Sequence, residues 1–267
     1  MIDNQTILIA FLLTLFAGLS TGIGGLIALI AKRTNTNFLS FSLGLSAGVM
    51  IYVSFMEMLP QSLNDLSLEF GEKTGTLYMI LAFFGGIALI ALIDFLVPES
   101  SNPHELHGVE EMDSKRNKGL KQTGIVTAVT IAIHNFPEGV ATFMSALTSL
   151  EIALPITAAI AIHNIPEGIA VAVPIYHSTG SRRRAFWLSL LSGLAEPVGA
   201  LLAYLFLMPF WSPTLNAVVF AAVAGIMVFI SLDELLPSAE KYGKHHHSII
   251  GLVVGMAIMA LSLYLFI

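Results

Sequence analysis

Long apolar segments dominate this sequence and restrict the folds open to it. A helix needs about 20 consecutive apolar residues to cross the hydrocarbon core of a bilayer, and none of the segments alternates as the strands of a membrane barrel do. The chain is 55% hydrophobic and only 11% charged, whereas soluble domains carry about 25% charged residues. The sequence therefore predicts an all-α integral membrane protein with eight transmembrane helices, at approximately 7–31, 38–63, 76–98, 122–148, 152–176, 185–208, 213–236 and 248–267.

Basic residues fall almost entirely in alternate loops. All 12 of them except Lys73 follow the first, third, fifth or seventh segment. Because loops rich in Lys and Arg stay in the cytoplasm, these loops are predicted to be cytoplasmic and both termini external. No basic residue precedes the first apolar segment, so we expect it to remain as a span and not as a cleavable signal peptide. Residues 1–267 are expected to form a single domain, with a mobile, polar cytoplasmic loop at about 99–121.

One hexapeptide pattern occurs in both the fourth and the fifth segment. Residues 134–139 read His-Asn-Phe-Pro-Glu-Gly, and residues 163–168 read His-Asn-Ile-Pro-Glu-Gly. On a helix the histidine, asparagine and glutamate of each copy share one broad face. A single such residue is often an interhelical hydrogen-bond partner, but ionisable groups within a membrane are costly and usually functional. The motif prolines are expected to break both helices beside the carboxylate. Two such faces together predict a metal site.

The ligand chemistry limits the choice of metal. The chain has no cysteine, so nitrogen and oxygen atoms must hold the ion. The two histidines and two glutamates of the motifs suit Zn²⁺, Fe²⁺ or Mn²⁺. The two asparagines, with the same glutamates, would form an adjacent site richer in oxygen, and two ions can share bridging carboxylates. A third carboxylate stands beside a proline in the sixth segment. The predicted metal ligands are His134, Asn135, Glu138, His163, Asn164, Glu167 and Glu196.

A second pair of motifs, Ser-x-x-Glu-x-Leu-Pro, occupies residues 54–60 and 231–237. Their mirrored order in the second and seventh segments, together with the paired hexapeptides, predicts an inverted-repeat bundle. In transporters such repeats build a binding site near the midplane of the membrane. We interpret Glu57 and Glu234, with the neighbouring Asp233, as residues of a transport pathway. Near a span end, the alternative is that these side chains reach headgroups or water.

Histidines also cluster on the predicted cytoplasmic side. Such clusters bind metal loosely and could receive an ion that leaves the membrane, although a solvated polar loop has the same composition. The candidates for a cytoplasmic metal relay are His104, His107, His245, His246 and His247.

These motifs and segments resemble the ZIP (Zrt-, Irt-like protein) family of divalent-metal transporters, most of all its bacterial ZupT-type branch. The resemblance covers nearly the whole chain, and His-Asn-x-Pro-Glu-Gly in the fourth segment is specific to the family. The fifth segment carries His-Asn where many members have other polar pairs, a difference that bears on metal preference. The resemblance implies a primary metal site of His134, Glu138, His163 and Glu167, and a second site of Asn135, Asn164 and Glu196 with both glutamates.

The resemblance also implies a function. A homodimer in the cell membrane would move Zn²⁺, and often Fe²⁺, Mn²⁺, Co²⁺ or Cd²⁺, into the cytoplasm by an elevator-like motion. Neither ATP nor a prosthetic group nor nucleic acid is expected. A metal efflux carrier or a passive metal channel stays open, because the sequence shows no driving force. An intramembrane metalloprotease would need His-Glu-x-x-His, and an ATP-driven pump a phosphate-binding loop, and the sequence has neither. We therefore predict a transporter and not an enzyme.

Overall fold

The chain is all-helical wherever its structure is described. The computed structural model describes residues 3–30, 36–96, 119–242 and 245–266, and these ranges contain no β-strand. Seven helices in them are long and apolar enough to cross a membrane, which confirms an all-α membrane protein. The total of eight spans stays a prediction. The helices are α1 (Asn4–Ile30), α2 (Thr36–Val53), α3 (Leu59–Phe70), α4 (Glu72–Leu96), α5 (Gly119–Thr148), α6 (Leu150–Thr179), α7 (Arg182–Gly193), α8 (Ala195–Leu202), α9 (Pro213–Ile230), α10 (Leu236–Tyr242) and α11 (His245–Phe266).

The second membrane helix is longer than its predicted span. Together α2, a π-helical turn and α3 form a continuous apolar helix over 34 residues, Asn37–Phe70, which is about 51 Å of helix against a hydrocarbon core of about 30 Å. The helix ends at Gly71, whose φ of 80° suits glycine alone, and α4 begins at the next residue. Most of the predicted mobile loop lies outside the described residues, and its end, residues 119–121, already belongs to α5.

The two Ser-x-x-Glu-x-Leu-Pro motifs adopt the same local structure. Each passes through a wider, π-helical turn, at Ser54–Met58 and at Ser231–Leu235. In both turns the serine hydroxyl donates to the carbonyl four residues earlier, at 2.7 Å. The proline that closes each motif has no N–H, so the regular ladder of hydrogen bonds cannot continue there. The shared geometry supports the predicted internal repeat.

The hexapeptide prolines do not break their helices, contrary to expectation. Pro137 lies inside α5, and α6 runs without interruption through Pro166. One missing hydrogen bond is tolerated in helices of 30 residues that are packed against neighbours. The membrane helix that does break is the sixth. Its chain turns at Leu194 between α7 and α8, since Pro197 has no N–H to reach the carbonyl of Gly193.

The helices associate in two groups. The first group contains α1, α5, α6, α7 and α8, with its most extensive contacts between α1 and α6. The second contains α2, α3, α4, α9, α10 and α11, with its most extensive contacts between α2 and α11. Contacts between the groups run mainly through α2 against α6, with smaller ones from α9 to α5 and from α11 to α6.

Glycines allow the closest helix approaches, and these lie within the groups. A Cβ added at Gly24 would stand 2.0 Å from the carbonyl oxygen of Ile165, and one added at Gly48 would stand 2.1 Å from that of Leu252. The first contact joins α1 to α6, and the second joins α2 to α11. Every close backbone contact that the described glycines make stays inside one group. Small residues at such points let membrane helices pack tightly, so each group forms a dense unit.

Candidate metal site in the membrane

Seven polar side chains are buried inside the first group. They come from α5, α6 and α8, and each is at most 4% exposed. Burying so many ionisable and amide groups in an apolar bundle is costly unless they bind one another or a ligand. The structure buries all seven side chains that the sequence predicts as ligands: His134, Asn135, Glu138, His163, Asn164, Glu167 and Glu196.

Three of these residues form the tightest group. One ligand atom from each of Glu138, His163 and Glu167 lies within 4.8 Å of the others. The Nε2 atom of His163 is 3.1 Å from Oε1 of Glu138, while its Nδ1 lies 3.1 Å from the carbonyl of Ala159. If Nδ1–H donates to that carbonyl, a neutral ring presents the Nε2 lone pair to a carboxylate oxygen. These two acceptor atoms repel each other, and a cation bound by both would remove the repulsion. The spacing fits this role, since ligands of a tetrahedral Zn²⁺ lie about 3.3 Å apart.

The two motif asparagines are oriented by their amide nitrogens. Nδ2 of Asn164 donates to the carbonyl of Ala17 at 2.9 Å, and it also contacts Oε1 of Glu196. Nδ2 of Asn135 donates to the carbonyl of Ser192 at 3.3 Å. In both side chains the amide nitrogen is thus engaged by a backbone carbonyl, and the amide oxygen on the opposite side is left as an acceptor. Backbone carbonyls of α1 and α7 hold the two amides in this orientation.

Five acceptor oxygens of the site have no hydrogen-bond donor among the described residues. Leaving such an atom buried without a donor costs about 1–3 kcal/mol, and native proteins keep few of them. Carboxylate and amide oxygens are also the ligands that divalent cations prefer alongside imidazole. The arrangement therefore has the chemistry of a candidate cation-binding site. The five atoms are Oδ1 of Asn135, Oε2 of Glu138, Oδ1 of Asn164, Oε2 of Glu167 and Oε2 of Glu196.

His134 connects the site to the predicted pathway. Its Nε2 atom lies 2.7 Å from Oε2 of Glu234, whose side chain is 13% exposed. The pair links α5 in the first group to the π-helical turn after α9 in the second. His134 thus stands beside the three-residue group and faces Glu234. The other predicted pathway residues differ in exposure, because Glu57 is half-buried and Asp233 is exposed.

Of the predicted cytoplasmic relay, the structure describes the second histidine cluster. Nδ1 of His245 is 2.7 Å from Oε1 of Glu240, and both side chains are well exposed. The His246 ring centre lies 5.7 Å from that of His245, and His247 is half-buried. His104 and His107 lie outside the described residues.

Sequence reasoning missed one side chain at the site. Ser46 on α2 is fully buried, and its Oγ lies 3.4 Å from Oε1 of Glu167. A single serine within an apolar helix belongs to no motif, and 121 residues separate it from its partner. No pattern in the sequence indicates this contact.

The bundle and its centre define a multi-pass membrane protein with a buried group of side chains that could hold a cation. The sequence model of the ZIP Zinc transporter family matches residues 96–263, and the chain belongs to this family. It is 58% identical to the zinc transporter ZupT of Streptococcus mutans, with 99% of this chain and 100% of the relative covered. The corresponding proteins of Clostridium perfringens and Corynebacterium glutamicum are 54% and 58% identical, over 99% and 97% of this chain and 99% and 100% of theirs.

Family membership confirms two predictions from the sequence. The resemblance to the ZIP family and its ZupT branch is confirmed over nearly the full length of the chain. The family is one of transporters, so the chain is not an enzyme of the metalloprotease kind. The metal, the direction of movement and the roles of individual residues are proposals.

Proposed function

We propose that the protein is a secondary transporter that carries Zn²⁺ into the cytoplasm through the site at the centre of the first helix group. The observation that supports it is the set of five oxygens without a hydrogen-bond donor among the described residues, on side chains that are buried with His163 in a bundle of apolar helices. The relatives are named zinc transporters. Fe²⁺, Mn²⁺, Co²⁺ and Cd²⁺ accept the same nitrogen and oxygen ligands, so we include them as further substrates.

The site offers a cation new ligands in place of the water molecules that it loses on entering the membrane. Carboxylate and amide oxygens with an imidazole nitrogen replace the hydration shell. Glu138, Glu167 and Glu196 provide the negative charge that a divalent ion needs inside a low-dielectric bundle. Their number suffices for two ions that share a bridging carboxylate, as in binuclear metal sites. Without a cation, the same carboxylates repel one another.

We assign the path on either side of the site to the repeated glutamates. In the proposed topology α2 and α9 run in opposite directions, and Glu57 and Glu234 follow them at equivalent positions. Glu57 would then meet ions from outside, while Glu234 would receive them through His134, to which it is bonded. The cytoplasmic histidines, among them His245, would accept the ion afterwards.

A carrier suits the packing better than a channel does. Each helix group is closely packed at its own glycine contacts, and the described close contacts do not cross from one group to the other. Two dense units with a smoother boundary can move relative to each other as bodies. Because all seven predicted ligands lie on α5, α6 and α8 of the first group, an ion bound there would travel with that group.

Zinc flux in proteoliposomes tests the proposed function. We expect saturable entrance of external Zn²⁺ into vesicles that hold a zinc-sensitive dye and no ATP. Vesicles loaded with Zn²⁺ and placed in zinc-free buffer test the efflux alternative, and flux proportional to concentration without saturation would indicate a channel. Zn²⁺ bound by the purified protein with no flux in either direction would contradict the proposal.

Reporter fusions test the proposed orientation in the cell membrane. With both termini external, alkaline phosphatase fused after residue 267 should be active in intact cells, and green fluorescent protein fused there should be dark. The matched control is a fusion after residue 182, in a loop predicted to be cytoplasmic, which should give the opposite pair of signals. A fluorescent C-terminal fusion would overturn the topology.

We also propose that the protein is a homodimer. A mass measurement of the purified protein in detergent tests this proposal.

A further inference from the structure

We propose that Ser46 is a positioning residue of the metal site, which acts by holding the carboxylate of Glu167. The inference rests on the proposed function, because it assigns Glu167 to the metal. Ser46 is fully buried on α2, and its Oγ lies 3.4 Å from Oε1 of Glu167 on α6. It is thus a contact of the site made by the second helix group.

Comparison with other buried serines of the bundle shows that the hydrogen-bond partner of Ser46 is unusual. In a membrane helix a serine hydroxyl ordinarily donates to a carbonyl three or four residues earlier in its own helix. Ser20, Ser54 and Ser231 do this, at 2.6 Å, 2.7 Å and 2.7 Å. Ser46 instead directs its hydroxyl across the boundary between groups to a charged acceptor. A hydroxyl used in this way stabilises one orientation of that acceptor.

The orientation matters because Glu167 has one oxygen left over. With Oε1 facing the Ser46 hydroxyl, Oε2 is the oxygen that has no donor among the described residues. Oε2 is therefore the atom available to an ion held with Glu138 and His163. Partners that hold a ligand in place typically change metal affinity 10–100-fold when they are removed. The contact is long for a hydrogen bond between oxygens, so we expect about tenfold.

Location adds a second consequence. Ser46 belongs to the second group, whereas Glu167 belongs to the first. Any movement of one group against the other stretches this contact before it changes the bonds inside the first group. Ser46 therefore strengthens metal binding in the arrangement of the two helix groups seen here. It does not raise the energy barrier that the ion meets inside the site. Its loss should weaken binding and should not slow the maximal rate.

Isothermal titration of the purified protein with Zn²⁺ and flux in proteoliposomes test the role together. We expect Ser46→Ala to raise the dissociation constant and KM about tenfold while the maximal rate is not lowered. Ser46→Thr, which keeps the hydroxyl, should restore both. The matched control is Ser40→Ala, since Ser40 is equally buried on the same helix and its hydroxyl has no hydrogen-bond partner among the described residues.

The outcomes separate the two proposals. An unchanged dissociation constant in Ser46→Ala, or an affinity loss that Ser46→Thr does not restore, overturns the role of Ser46. A lower maximal rate with unchanged KM would show a merely structural serine and overturns it as well. Parent protein that binds Zn²⁺ but carries none would overturn the proposed function alone, and the titrations would still decide the role of Ser46.

Discussion

Replacing Glu138 by glutamine should abolish zinc transport without unfolding the protein. Glu138 belongs to the three-residue group, and one of its oxygens faces His163 while the other has no donor among the described residues. The substitution removes a charge and a ligand but keeps the volume. Loss of an orienting partner alone costs 10–100-fold in affinity, so loss of a ligand should lower the transport rate at least about a hundredfold. Initial rates of Zn²⁺ flux in proteoliposomes measure this effect.

Stability provides the second half of this prediction. Glu138, Glu167 and Glu196 are buried in one cluster, and like charges at close range destabilise a folded state. In buffer with a chelator, Glu138→Gln should therefore melt no lower than the parent protein. Loss of function with unchanged or raised stability is typical of a residue kept for its chemistry. A functional glutamine variant would remove Glu138 from the site, and a variant that fails to fold would make it structural.

Glu72→Gln is the matched control. Glu72 is an exposed glutamate in the first turn of α4, remote in the sequence from both hexapeptide motifs. The same atoms are exchanged, so any effect of charge on expression or reconstitution should appear in both variants. We expect transport by Glu72→Gln to equal that of the parent protein. An equal loss in both variants would show that Glu138→Gln acts through general damage.

The composition of the site could be predicted because its residues break an otherwise apolar pattern. Polar groups within membrane helices stand out in a sequence, and their spacing of three and four residues fixes a common helix face. The structure accordingly buries all seven predicted ligands, and three of them, Glu138, His163 and Glu167, lie close enough to hold one ion. The contacts that define their orientations come from outside the motifs. Backbone carbonyls of Ala17 and Ser192 hold the two amides, and Ser46 holds a carboxylate. Carbonyls and single serines leave no signal in a sequence.

The structure agrees less well with the helix ends predicted from the apolar pattern than with the predicted helix positions. Hydropathy places the second span at 38–63, but the helix continues to Phe70 because α3 is amphipathic and packs against α4 and α9. The positions of the prolines do not by themselves indicate where a helix is interrupted. Pro197 accompanies a break between α7 and α8, whereas Pro137 and Pro166 lie inside continuous helices. Whether one lost hydrogen bond interrupts a helix depends on its tertiary packing.

Two adjacent glycines on α4 should respond oppositely to alanine. A Cβ at Gly86 would lie 2.0 Å from the carbonyl oxygen of Ala222 on α9, and real Cβ atoms essentially never approach within 3.0 Å. The neighbour is backbone, so α4 and α9 must separate. A Cβ at Gly85 would meet nothing within 4 Å. We expect Gly86→Ala to destabilise the protein by about 3 kcal/mol, and Gly85→Ala to leave stability unchanged or slightly raised, since alanine is the better helix former.

Thermal unfolding in detergent measures the difference, and zinc binding shows where it originates. A loss of about 3 kcal/mol corresponds to a fall of about 6–12 °C in the midpoint for a chain of this size. The α4–α9 contact lies in the second group, whereas all seven predicted ligands lie on helices of the first. Gly86→Ala molecules that remain folded should therefore bind Zn²⁺ with nearly the affinity of the parent protein. Equal midpoints for the two alanine variants would contradict the tight α4–α9 contact. A loss of zinc affinity in Gly86→Ala would instead show that the two groups do not behave as separate units, and the proposed carrier motion would lose its structural basis.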